Sequence, residues 1–414
     1  MKTVFLSMLT IAALASCTRQ DFIDPNDGPK PGGEGNEMVV ELTVSSTQLT
    51  KATGAPNNAE DKKINDITVF GVNTTSKAVI TRKFFSTELT PGEGQDEGKM
   101  KVSFKTSEQT DAIYVIANVT NDLTGVGGDL NVSNIGALNN VMASLIVPNK
   151  SGGPDKYEAK QTEGNVLMSG YADVTGTVGG SEPATADVQL NLIASKVILK
   201  SITRDAGAKG EYGKDFKFVG AMLTNVNTKA YYFADQYPIT ADSHPSYIGT
   251  TSVEGERPSM DDMSTQLVSG GPEDKAAEPN KLEKVKVLYE DLENKEFTGS
   301  LTDIAYWYVF ENSSDPNIAK TKQTAFQLHY EYMPSDPQKK KDKYISLVFG
   351  NEGNPTLEPG KTYTITMSFD ADFEAGTTPP GGDDPEAPTV EGQIGVTVTP
   401  AEWGTNENVN KPVN

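Results

Sequence analysis

Apolar residues in this chain recur at every second position in short runs. That period is the tightest constraint on its fold, because only extended backbone turns successive side chains to opposite faces. The clearest run lies near the C-terminal end. Across Gln393–Thr399, Ile394, Val396 and Val398 point one way while Gly395, Thr397 and Thr399 point the other. A strand with one apolar face needs a sheet to lie on. It is followed by Pro400, Ala401, Glu402 and Trp403, and preceded by a Gly/Pro-rich run, Gly376–Gly392, so the strand hangs on a tether. At the other end of the body, Val40, Leu42 and Val44 alternate in the same way. Two strands of one pattern at opposite ends suggest a single groove with two possible occupants.

Between these ends the pattern predicts strands at Ile64–Val72, Lys101–Phe104, Ala112–Val119, Asn165–Gly170 and Val188–Ile202. Further strands are expected at Phe216–Leu223, Ala230–Phe233, Ile304–Phe310, Thr324–Tyr330, Tyr344–Phe349 and Tyr363–Phe369. Leu138, Val141, Met142 and Leu145 fall at helical spacing, so Ile135–Ile146 is read as a helix. A composition shift at Thr203–Lys214 marks an inter-domain boundary, and Ala241–Lys284 is an irregular acidic stretch. The expected fold is mostly β: two tandem β-sandwich domains with minor helix, plus a tethered C-terminal strand. The expected division is 1–17 signal, 18–51 linker and first strand, 52–203 and 204–375 β domains, and 376–414 tether and terminal strand.

The net charge of −21 argues against nucleic acid or an anionic membrane surface as partner. The single cysteine, Cys17, excludes an intramolecular disulfide and a Cys-based zinc site. Its context explains it: Lys2, then the apolar stretch Val4–Leu14, then Leu14-Ala15-Ser16-Cys17. That is a secretory signal resembling a bacterial lipobox, with cleavage before a diacylated Cys17. Acyl chains on Cys17 would hold the precursor in a membrane. Thr18–Asn36 is a polar linker, and Leu49–Asn58 is aperiodic and rich in small residues. A basic residue in such a loop is a natural cleavage point, so cutting between Lys51 and Ala52 would detach Val40–Val44 from everything downstream.

The sequence carries no recognisable catalytic constellation. His244 and His329 lie in different contexts, with no His-x-x-x-His spacing, and His329 reads as a strand-face residue. Asp370–Gly376 is similar to a calcium loop but lacks the sixth-position glycine and the distal glutamate. No metal, cofactor or enzymatic activity is expected. Tyr306-Trp307-Tyr308 is read as strand aromatics, with a sugar-stacking platform as the alternative.

Taken together these motifs resemble the Bacteroidales major fimbrial subunit (fimbrillin) family of type V pilins. The residues carrying the resemblance are Leu14–Cys17, Val39–Ala52, Ile64–Val72, Leu167-Met168-Ser169-Gly170 and Leu190–Leu199, then Tyr308–Asn312, Leu357–Phe369 and Val396–Trp403. Two departures are Lys51 where the family uses arginine, and Leu192 where arginine is expected. The resemblance implies transthyretin-like or Greek-key sandwiches and a pilus-shaft subunit serving adhesion. It implies a lipidated precursor on the outer membrane, maturation at Lys51–Ala52 and loss of the Val40–Leu42–Val44 strand. Insertion of Ile394, Val396, Val398 and Trp403 from a neighbour would then build a head-to-tail extracellular filament of identical subunits, with anchor and tip pilins as further partners. The alternatives are a pilus anchor subunit or a monomeric glycan-binding surface lipoprotein using aromatics such as Trp307.

Overall fold

The computed structural model describes residues 37–46, 60–93, 99–148, 157–176, 183–224, 226–227, 229–233, 286–310, 324–333, 341–350, 356–369, 372–373 and 394–402. All of them lie in one compact unit, Asn36–Asn414. The acidic stretch 241–284 and most of the calcium-like loop lie outside the described residues.

The first half contributes β1 (Glu37–Ser46), β2 (Ile67–Asn73), β3 (Ala78–Phe85), β4 (Thr90–Pro91), β5 (Met100–Ser107) and β6 (Ala112–Ala117). After them come a short helix α1 (Ile135–Asn139), β7 (Met142–Ser144), β8 (Ile146–Pro148), β9 (Tyr157–Ala159), β10 (Met168–Asp173) and β11 (Ala184–Leu192). Eight of these strands form one sheet in the order β3-β2-β6-β10-β11-β1-β5-β4. The sheet rolls up on itself. Although β3 and β5 stand far apart in that order, Phe85 of β3 and Phe104 of β5 lie with ring centroids 5.8 Å apart, and the hydroxyls of Thr81 and Thr106 hydrogen-bond at 2.6 Å. Inside the roll sits an apolar cluster drawn from β1, β2, β5, β6, β10 and β11.

β6 is buried along its whole length, which explains why its sequence is nearly all apolar instead of alternating. Ile113, Val115 and Ala117 face the inner cluster, while Ala112, Tyr114 and Ile116 join a second cluster shared with the other half of the chain. Tyr114 meets Phe233 edge-on at 5.3 Å within this second cluster.

The second half supplies β12 (Ser195–Arg204), β13 (Phe216–Thr224), β14 (Lys229–Tyr231), β15 (Tyr289–Asp291), β16 (Ser300–Val309), β17 (Ala325–Tyr332), β18 (Lys341–Val348), β19 (Lys361–Phe369) and β20 (Ile394–Glu402). All but β14, which pairs with β7, form two four-stranded sheets, β16-β12-β19-β20 and β15-β13-β17-β18. Aromatic contacts bridge them, Phe218 to Phe369 at 5.9 Å and Trp307 to Phe326 at 6.5 Å, so the sheets face each other across a core. Sheet membership changes between Leu192 and Ser195, ahead of the composition shift at 203–214.

The helix expected over Ile135–Ile146 is corrected to one turn. Asn134 caps its start by accepting the Ala137 N–H at 2.8 Å, and the chain leaves the helix at Asn140. From Met142 the backbone pairs with β14 instead, Met142 opposite Tyr231. Asparagine is a weak helix former, so the strand pairing overrides the local spacing.

Candidate strand-exchange site

β1 is an interior strand of the rolled sheet. It runs parallel to β11, with Val40 opposite Ala184 and Val44 opposite Val188, and antiparallel to β5, with Val40 opposite Phe104 and Leu42 opposite Val102. Val40, Leu42 and Val44 are 0%, 1% and 0% exposed. Their side chains pack with Val102, Phe104, Ala186, Val188 and Leu190 in the inner cluster. Met38 is buried on the same face, a fourth inward residue that the sequence reading left out; its place two positions before Val40 is the signal. Glu37, Val39 and Glu41 face outward, and the exposed pair of Glu37 with Lys105 at 3.3 Å adds little.

Because β1 is the sole link between β5 and β11 in the sheet order, removing it would leave two facing open edges and an uncovered apolar floor. Unpaired backbone and exposed core of that kind are costly and attract another strand. The arrangement is therefore a strand-shaped socket, occupied in this chain by β1.

β20 lies elsewhere. It pairs antiparallel with β19 at the edge of its sheet, Ile394 opposite Phe369, Val396 opposite Met367 and Val398 opposite Ile365. The two strands expected to compete for one groove thus occupy two places in the single chain, β1 with two neighbours and β20 with one. Cys17, Lys51, Ala52 and Trp403 lie outside the described residues.

β1 leaves the socket with Ser46 opposite Leu190, and six residues beyond Leu190 comes Lys196 of β12. Lys196 Nζ donates to Asp61 Oδ2 at 2.9 Å, and both side chains are almost fully buried. The Tyr308 hydroxyl donates to the other oxygen of Asp61. Burial, and then that hydrogen bond to a carboxylate, push the Tyr308 hydroxyl far above its ordinary range. Among the described residues, Tyr308 is the one buried residue beyond Leu192 in the inner cluster that β1 fills. Nothing local in the sequence signals this polar group, since Asp61 and Tyr308 are 247 positions apart.

His329 sits on β17, buried and stacked on Tyr344 with centroids 4.7 Å apart, as a strand-face residue should. His244 lies outside the described residues. Trp307 is only 6% exposed and of the three aromatics only Tyr306, 47% exposed, faces solvent, so they sit as strand aromatics and form no sugar-stacking platform. Asp372 accepts the Lys209 N–H at 2.7 Å and pairs with its ammonium. Among the described residues no group of three or more His, Cys, Asp or Glu could hold a metal ion, and no helix is long and apolar enough to cross a membrane.

Residues 347–403, which span β19 and β20, match the C-terminal domain of the FimA-like major fimbrial subunit proteins. The chain carries a FimA-like C-terminal domain. That family is one of structural fimbrial subunits, not enzymes. The chain shares its fold with a candidate cell adhesion protein of Bacteroides eggerthii, at 22% identity and a TM-score of 0.61, covering 89% of this chain and 97% of the other. It shares it also with a fimbrilin of Porphyromonas gingivalis, at 12% identity and a TM-score of 0.51, covering 88% and 98%. A candidate cell adhesion protein of Parabacteroides distasonis follows at 16% identity and a TM-score of 0.50, covering 89% and 98%. No curated protein matches the sequence.

Proposed function

We propose that this chain is the shaft subunit of a cell-surface fimbria, exported as a lipoprotein precursor and polymerised by donor-strand exchange. The observation that carries the reading is the position of β1, an amphipathic strand buried between two neighbours yet joined to the rest of the fold through one short segment, 47–59. Cutting that segment at Lys51 makes β1 a separate peptide held only by non-covalent contacts.

The edge position of β20 fits the same scheme. While β1 fills the socket, β20 has no second place to go and rests on the β19 edge with one ladder. Once β1 is gone, the terminal strand of the next subunit trades one ladder for two, at roughly 1 kcal/mol per hydrogen bond. Burying three branched side chains, Ile394, Val396 and Val398, adds roughly 5–9 kcal/mol at about 1.5–3 each. The tether 376–392 spans on the order of 50 Å when extended, enough to reach a neighbouring molecule. A head-to-tail contact of this type does not close on itself and so propagates as a filament. Lipid on Cys17 would hold the precursor at the outer membrane and leave with β1, placing the mature chain outside the cell.

Deleting residues 393–414 tests the scheme. The shortened chain should fold and be secreted but fail to polymerise, because β20 is an edge strand with a single neighbour, β19. Undiminished ladders from that deletion on mildly denaturing gels would refute it.

A further inference from the structure

Two more lysines follow the segment in which maturation is proposed. Lys62 ends a single 3-10 turn at Glu60–Lys62, and Lys63 comes next. A protease that accepts Lys51 would accept either by side-chain chemistry, and a cut there would strip the start of the fold. The structure holds both from two sides.

On the upstream side Asp61 is 1% exposed and accepts hydrogen bonds from Lys196 Nζ and the Tyr308 hydroxyl. The Lys196 ammonium also lies over the rings of Tyr306 and Tyr308, at 4.8 and 5.2 Å, with Glu163 Oε1 at 3.9 Å. Lys196 and Tyr308 are themselves cross-strand partners on β12 and β16, so the receptor for Asp61 is built into the second half of the fold.

On the downstream side Asn118 is wholly buried, its backbone at a φ of 66° that asparagine tolerates better than most residues. Its Nδ2 donates to the Lys63 carbonyl at 2.8 Å and to the Val166 carbonyl at 2.7 Å. Its Oδ1 accepts the Asn65 N–H at 2.9 Å. Ile64 between them is buried in the inner cluster.

A protease acts on several consecutive residues drawn out of the fold, so its rate follows local opening. Opening here means stripping a buried carboxylate from its ammonium, which leaves an uncompensated buried charge, and breaking a buried amide clamp. We propose that this pair of clamps decides where the precursor is cut. It shields the bonds after Lys62 and Lys63, and so leaves Lys51, the one basic residue in 47–59, as the bond of the 47–63 stretch that an external trypsin-like protease cuts. The step is ordinary peptide hydrolysis: water adds across the bond after lysine, leaving a carboxylate there and an ammonium on the next residue. A cut at Lys51 keeps Asp61 in the mature chain, still tied to Lys196 and Tyr308. A cut after Lys63 would discard it. The inference rests on the maturation reading above, but its test separates the two.

The purified full-length chain is treated with graded trypsin, and new amino termini are read by mass spectrometry. The wild-type chain should yield a terminus at Ala52 well before any at Lys63 or Ile64. Asp61→Ala and the milder Tyr308→Phe should raise cleavage after Lys62 and Lys63 at least about tenfold, with cleavage after Lys51 unchanged. Equal cutting of the wild-type chain at Lys51 and Lys63 overturns the proposal. So does a folded Asp61→Ala chain, judged by circular dichroism, whose pattern matches wild type; should Asp61→Ala not fold, Tyr308→Phe decides in the same way. If the chain is cut after Lys51 and not after Lys62 or Lys63, yet never takes up a synthetic 393–403 peptide, the clamps stand and the donor-strand reading falls.

Discussion

Leu42→Ala separates the precursor from the polymer. In the full chain Leu42 is 1% exposed and packs on β5 and β11 in the inner cluster. Truncating a leucine in such a site costs about 2–5 kcal/mol, the upper part applying where the walls cannot collapse. Here the walls are two hydrogen-bonded strands, so collapse is restricted and a loss of about 3–4 kcal/mol is expected. At a urea dependence of about 2–3 kcal/mol per molar, the precursor's unfolding midpoint should fall by about 1–2 M. Under strand exchange the filament contains no β1, so filaments assembled from Leu42→Ala precursor should resist denaturant and heat as wild type does. The assay is a urea melt of the purified precursor beside a dissociation series of the filaments. Filaments weakened as much as the precursor would mean that β1 stays in the polymer, and the socket would never have been emptied. An unchanged precursor melt would remove the structural basis for the site altogether.

Other outcomes follow from particular residues. Lys51→Ala should trap a membrane-bound monomer, read by fractionation and N-terminal sequencing; normal filaments from it would move the cut elsewhere. In Gly170→Ala the added Cβ would lie 2.1 Å from the Gln189 carbonyl oxygen of β11. Forcing β10 and β11 apart should lower the precursor's stability by about 1–3 kcal/mol, measured by urea melt. Tyr289 has its hydroxyl pushed up to about 12, first by burial and then by Asp291, Glu293 and Glu290. The unfolded chain therefore releases this proton near its ordinary value of 10.0 while the folded chain keeps it. Stability should fall as pH rises from about 10 to about 12, and Tyr289→Phe should flatten that part of the melting-temperature profile.

What could be read from the sequence was local. Alternation at Val40–Val44, at Tyr363–Phe369 and at Ile394–Val398 marks a strand wherever it ends up, because side-chain direction in extended backbone depends on the residue's own position alone. The resemblance of Leu357–Phe369 and Val396–Trp403 to fimbrillin segments likewise falls within the stretch, 347–403, that matches the FimA-like domain. Periodicity failed at Met142, whose helical spacing was overruled by a strand 89 positions away, since Met142 pairs with Tyr231. It was silent on β3, a half-buried edge strand without a clean alternation. It was equally silent on partners. That β1 lies between β5 and β11 while β20 rests on β19, or that Asp61 closes on Lys196 and Tyr308, depends on which distant segments meet. Composition and spacing along one stretch of chain carry no record of that; only the assembled sheets do.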